Sequence, residues 1–250
     1  MGICCKLFPM IENITCTTNE ILSIFGFGLC HQFPERSFDF AGVLWAVCAR
    51  CSGIYVGLIF ALVALLFAYR LKQRHGFMAW PYWLFLAGGL AFMGWDGVTS
   101  YAHIRETTNF LRWITGIGMG ASLAPLIYFL LINNLAKNST DEPVMGHDAD
   151  GSTGGWARPW IAVAISMVVA FLMVYPAGPW LGGVGAVVAA LCIWATFTLL
   201  ALVLLGVFKP FYRKAEGWRN LVIPGILAAV VGLLLIISFS LINAFQLAFL

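Results

Sequence analysis

Charge is scarce in this chain. Its 250 residues include 14 Lys and Arg and 11 Asp and Glu, so that 10% are charged, where about 25% is usual for a soluble domain. That supply cannot give a chain of this size a water-compatible exterior, because contiguous apolar surface exposed to water is disfavoured in proportion to its area. Basic runs are missing as well. A net charge of +3 with no Lys/Arg-rich stretch excludes the phosphate-tracking surface of a nucleic-acid binder. The alternation over about ten residues that marks a transmembrane β-barrel is absent, and so is any repeat with a period of roughly 20–50 residues, which excludes solenoids. The start, MGICCK, places Lys6 where myristoylation wants Ser or Thr. No basic, then apolar, then small-residue order resembling a cleavable signal precedes residue 30.

What the chain has in abundance is apolar sequence, 61% of residues, with a mean hydropathy of +0.90. The fold class expected is an all-α integral membrane protein, a polytopic bundle of about six transmembrane helices. Roughly 20 apolar residues are needed to cross about 30 Å of hydrocarbon. Stretches of that kind run over 53–69 (extending back as far as 44), 80–95, 113–132, 160–175, 180–208 and 221–241. Trp80, Trp83, Trp95, Trp113, Trp156, Trp160, Trp180 and Trp218 fall at their ends, where an indole keeps its N–H wet and its ring in the acyl boundary. Alternate loops differ in Lys and Arg. One side carries 9, including Arg70, Lys72, Arg74 and Lys209, Arg213, Lys214, Arg219; the other carries 5. The basic side is expected to be cytoplasmic, which puts both termini outside, with the plasma membrane as the expected location.

Four regions follow. Residues 1–43 form an extracytoplasmic segment, 44–137 a three-helix half bearing the motifs, 138–158 a Ser, Asp, Gly and Pro-rich cytoplasmic linker, and 159–250 an apolar three-helix half. Small residues at Gly53 and Gly57, at Gly116 and Gly120, and at Gly182, Gly183 and Gly185 suit close helix packing.

Three polar strings share the outer face in this topology: CHQFPERSF (30–38), CARCSGIYVG (48–57) and DGVTSYAHIRETTNFLRWITG (96–116). A chain short of charge has gathered Arg36, Arg50, Asp96, His103, Arg105 and Arg112 beside lipid, where unpaired charge is unfavourable. Cys30, His31, Cys48 and Cys51 give C-H-x16-C-x2-C, ligand types and clustering suited to a tetrahedral zinc centre, although another thiolate-loving ion would fit too. Redox chemistry is a second reading, with Arg50 favouring thiolate, and a structural disulfide or plain buried thiols a third. Arg36, Arg50, Arg105, Asn109 and Arg112 are candidates for holding an anionic substrate, since guanidinium is a fixed planar donor for phosphate or carboxylate. Asp96 and His103 are candidates for general acid or base.

These strings, in this order and spacing, resemble an uncharacterised membrane-protein family, domain of unknown function 2085, over roughly residues 28 to 120. The resemblance maps the family-defining positions onto Cys30, His31, Arg36, Ser37, Cys48, Arg50, Cys51, Gly53, Gly57, Asp96, Gly97, Asn109, Arg112, Thr115 and Gly116. It implies a site and leaves its chemistry open. The functional expectation is a metal-dependent membrane enzyme, with zinc as the expected ion, acting on a lipid or lipid-linked anionic group, with membrane lipid as partner and no nucleic acid. A transporter or channel is the first alternative, against which spans four to six carry no charge. The second is a scaffold with a redox or structural disulfide.

Overall fold

The computed structural model describes residues 19–23, 26–30, 33–40, 42–69, 80–135, 157–174, 178–207 and 218–248. Six long helices account for most of them: α1 (Ala49–Tyr69), α2 (Trp80–Tyr101), α3 (Asn109–Leu135), α4 (Ala157–Val174), α5 (Gly178–Val207) and α6 (Trp218–Ala248). Apolar runs long enough to cross a membrane occupy 49–68, 109–132, 183–206 and 222–242. The run in α4, Pro159–Val174, is shorter. Helix α2 has 22 residues, about 33 Å at 1.5 Å per residue, and is rich in Gly and Trp. The chain is a multi-pass membrane protein of about six helices, as composition and hydropathy indicate.

Two buried clusters lie at opposite ends of the bundle. One joins the beginnings of α1 and α3 (Ala49, Val56, Trp113, Ile117) to the end of α4 (Ala170, Val174), to Ala186 and Ile193 of α5 and to Ile236 of α6. The other joins the far halves of α1 and α3 (Leu62, Leu65, Tyr128, Ile132) to Tyr82 near the start of α2 and Val163 near the start of α4. Successive helices therefore run in alternating directions. The starts of α1 and α3 and the end of α2 share one face, which is the arrangement the three polar strings require.

Helix α1 packs most extensively on α3 and also touches α4 and α5. Glycine makes the α1–α3 contact close: a Cβ on Gly53 would sit 2.7 Å from the Trp113 carbonyl oxygen, and one on Gly57 2.6 Å from that of Ile117. Gly116 and Gly120 oppose the Arg50 and Ile54 carbonyls in the same way. Helix α2 lies at the edge against α3, and its buried residues, Tyr82, Leu86, Gly89 and Asp96, recur every three, four or seven positions on one stripe. Asp96 is thus on the inward face by helical period.

Between Cys30 and α1 the chain makes a short 3-10 turn (Pro34–Arg36) and a small hairpin, β1 (Asp39–Phe40) paired antiparallel with β2 (Val43–Leu44). Gly42 closes the turn at φ +79°, a conformation that Cβ-bearing residues disfavour, and its N–H donates to Asp39 Oδ1 at 3.1 Å. The first helix does not reach back to Leu44, because residues 43–44 are committed to this hairpin. Phe38, Phe40, Trp45 and Trp113 then form one aromatic cluster at centroid distances of 5.3–6.3 Å, Phe38 stacked on Phe40 and the other pairs edge-to-face. Trp113 is consequently 0% exposed. It is a core residue covered by the hairpin and not the interfacial anchor its position suggested, whereas Trp80, Trp83 and Trp95 remain exposed. The hairpin rests on α5: Val43 faces Gly183, and a Cβ on Gly185 would lie 2.9 Å from Trp45. At the second edge, Gly28 meets α6 at Phe239 and Ser240. The apolar half of the chain supports the loop that carries the motifs.

Candidate metal and anion site at one membrane face

Cys48 immediately precedes α1, and its carbonyl accepts the Ser52 N–H at 2.9 Å, so C-x-x-C straddles a helix start. At about 100° per residue, positions 48 and 51 share a face while position 50 turns away. Cys30 arrives from a turn in which the Leu29 and Cys30 N–H groups both donate to the Gly26 carbonyl. The Cys48 N–H donates to the Cys30 sulfur at 3.5 Å. All three sulfurs lie within 4.8 Å of one another, and no disulfide joins any two of them. Tetrahedral zinc with about 2.3 Å bonds spaces its sulfurs roughly 3.8 Å apart, so metal binding requires only a small contraction of the triangle. Hydrogen bonding with the Cys30 sulfur, with burial adding to it, holds the Cys48 thiol above its ordinary range. Tyr55, one turn beyond Cys51, is within electrostatic reach of all three thiols.

Arg50 faces the neighbouring helices. Its Nε donates to Asp96 Oδ2 at 3.0 Å, and its Nη2 donates to the same oxygen. Arg105 Nη2 donates to Asp96 Oδ1 at 2.8 Å, and Thr115 Oγ donates to Oδ2 at 3.4 Å. Three of these contacts fall on Oδ2 and one on Oδ1, so most of the roughly four lone-pair sites of the carboxylate are engaged. Asp96 is 0% exposed. Its geometry suits fixing two guanidiniums better than accepting a proton from a substrate. Arg105 additionally lies 4.3 Å above the Trp95 ring.

Asn109 links the first polar string to α3. Its Nδ2 donates to the Glu35 carbonyl at 3.2 Å and to the Ser37 carbonyl at 3.3 Å, and its Oδ1 accepts Arg112 Nη1 at 2.9 Å. Arg36, between those two carbonyls in sequence, lies over the rings of Phe33 and Tyr101 at 5.3 and 5.8 Å. Arg36 and Arg50 both act electrostatically on Arg112. Thr108 starts α3, its Oγ accepting the Leu111 N–H and its carbonyl the Arg112 N–H.

Of the residues singled out from sequence, Cys30, Cys48 and Cys51 form one group, Arg50, Asp96 and Arg105 a second, and Arg36, Asn109 and Arg112 a third on the same face. His103 is exposed in the turn after α2, at φ 53°. His31 lies outside the described residues, as does residues 138–156 of the expected linker. Sequence reasoning passed over Tyr55, which helical spacing from Cys51 would have singled out; Ser37, named from the family resemblance alone, is buried.

Residues 30–126 match the family described as Predicted membrane protein (DUF2085). The chain belongs to this family. An uncharacterized protein of Methanocaldococcus jannaschii is 37% identical over 103 residues, 41% of this chain and 62% of the relative. An uncharacterized protein of Methanothermobacter thermautotrophicus is 36% identical over 99 residues, 39% of this chain and 83% of the relative. No solved structure matches. The family match takes in Cys30 and all of α1 and α2 and ends within α3, so it contains all three polar groups; α4, α5 and α6 lie beyond it.

Proposed function

We propose that this DUF2085 protein binds a thiolate-loving metal ion, zinc by the chemistry of its ligands, through Cys30, Cys48 and Cys51, and works on an anionic lipid or lipid-linked group at the outer face of the plasma membrane. The observation that carries the reading is the undisulfided triangle of sulfurs within 4.8 Å. Three thiolates leave one coordination position. His31 there would close the site as a structural centre, whereas water or substrate there would make it catalytic, with the ion polarising an oxygen or activating water. Arg36 and Arg112 supply the donors for the anion, and Asn109, its amide hydrogens held by the Glu35 and Ser37 carbonyls, positions Arg112. Asp96 acts as a positioning residue for Arg50 and Arg105, and His103 is the candidate proton carrier. The excess of basic residues in the opposite loops supports an extracytoplasmic site and outside termini.

Metal analysis of the full chain purified in mild detergent tests this reading. About one zinc per chain is expected for the wild type, and well below half of that for Cys48→Ser. Cys192→Ser, a buried cysteine on α5 outside the triangle, should retain the ion. Wild-type protein with no bound metal, or with a disulfide between two of the three cysteines, would overturn the metal reading.

A further inference from the structure

The four arginines at this face divide into two classes. Arg50 and Arg105 are paired to Asp96, and these are the ion pairs found among the described residues. Arg112 is half-buried and shares a hydrogen bond with the neutral Asn109 amide oxygen, while Arg36 lies over two aromatic rings. Neither has a carboxylate partner among the described residues, although Glu35 and Glu106 stand exposed nearby in sequence. Two guanidiniums without counter-charge at a membrane boundary are unfavourable, and they also repel one another.

A second observation points the same way. The Ser37 hydroxyl is buried, with the residue 5% exposed, and has no hydrogen-bond partner among the described residues. Buried polar atoms are nearly always satisfied, so this one, like Arg105 Nε at the same face, calls for a partner such as water or a bound group. Asn109 holds the Glu35 and Ser37 carbonyls on either side of Arg36 and, at its other end, Arg112, so the segment carrying Arg36 and Ser37 is tied to Arg112, and the two guanidiniums act on one another electrostatically. The start of α3, beside Arg112, adds the positive end of a helix dipole.

We propose that Arg36, Arg112 and the Ser37 hydroxyl form a recognition site for a phosphomonoester, the anionic group of the substrate class proposed above. The inference rests on the same face acting on an anionic molecule and narrows it to phosphate. Guanidinium forks match phosphate oxygens bidentately. A phosphomonoester also brings about −1.5 to −2 charges at pH 7, which balances two unpaired arginines where a single carboxylate would not.

The test is binding to the full chain in neutral detergent, with short-chain phosphatidic acid, phosphatidylcholine of the same chain length, and inorganic phosphate as probes. Phosphatidic acid should bind at least about tenfold tighter than phosphatidylcholine. Arg36→Gln and Arg112→Gln should each abolish that preference, and Arg112→Lys should keep part of it. Arg36→Gln, in the loop, keeps the test decisive if Arg112→Gln fails to fold. Displacement of the lipid by inorganic phosphate would assign recognition to the phosphate alone; selective lipid binding that phosphate cannot displace would assign it to the headgroup with its chains. Equal affinity for the two lipids, or a preference that survives both Gln variants, would overturn the proposal. Zinc content measured on the same samples separates the two readings. Zinc without phosphate preference overturns this inference alone, and phosphate preference without zinc overturns the metal centre alone.

Discussion

Asp96 is the residue on which the polar face is balanced. Replacing it with Asn would leave the side-chain shape but strand Arg50 and Arg105, whose side chains are 13% and 30% exposed, without their buried counter-ion. Breaking a buried ion pair from one side typically destabilises by about 3–5 kcal/mol, so thermal unfolding of Asp96→Asn in detergent should show a large loss. Thr115→Val removes a hydroxyl that donates to the Arg112 carbonyl at 3.1 Å and lies 3.4 Å from Asp96 Oδ2, and should cost about 1 kcal/mol. A comparable loss in both variants would mean that the Arg50–Asp96–Arg105 network is not what stabilises this end. The cysteines and arginines were legible in the sequence because rare residue types next to apolar runs stand out. Their partition was not: Arg50 lies between two cysteines in the chain, yet helical rotation turns it to Asp96, 46 residues away.

At the scale of elements, the helix starts were readable to within four residues, since hydropathy and tryptophans mark them, whereas α2 and α6 run six and seven residues past the expected ends at 95 and 241. Helices α1 and α3 begin earlier than the strictly apolar runs because Arg50, Asn109 and Arg112 find partners at the polar face. The hairpin of residues 39–44 escaped notice because two-residue strands leave no periodic pattern, and with it went the burial of Trp113. Close packing of α1 on α3 separates two glycines sharply. Gly53→Ala would press a methyl against the Trp113 carbonyl and should destabilise by about 1–3 kcal/mol. Gly94→Ala on the outer side of α2 meets nothing within 4 Å and should be neutral or slightly stabilising, given the roughly 1 kcal/mol helix preference of Ala over Gly. Thermal midpoints of the two variants check this. Trp45→Ala removes the ring that seats the hairpin on α5 and should destabilise by about 3–5 kcal/mol. It should also weaken zinc retention against a chelator, because Cys48 follows that ring by three residues, although no ligand is changed. Unaltered retention would detach the apolar half from any part in supporting the cysteines.

For the whole molecule, alternating helices place the motif loop, the end of α2 and the start of α3 together, and that much follows from six spans and three polar strings. Which side of the membrane this face occupies depends on the Lys and Arg asymmetry alone. Ile104 is 75% exposed in the turn after α2, so Ile104→Cys in a background lacking the other cysteines of the outer loops should react with a membrane-impermeant maleimide in intact cells. Labelling only after the membrane is permeabilised would reverse the orientation. The central claim is the coordination of a metal by three thiolates, and zinc K-edge X-ray absorption of the purified full chain reads it most directly. The account predicts about three sulfur neighbours near 2.3 Å with one lighter atom at about 2.0–2.1 Å; a shell made only of nitrogen and oxygen would contradict it.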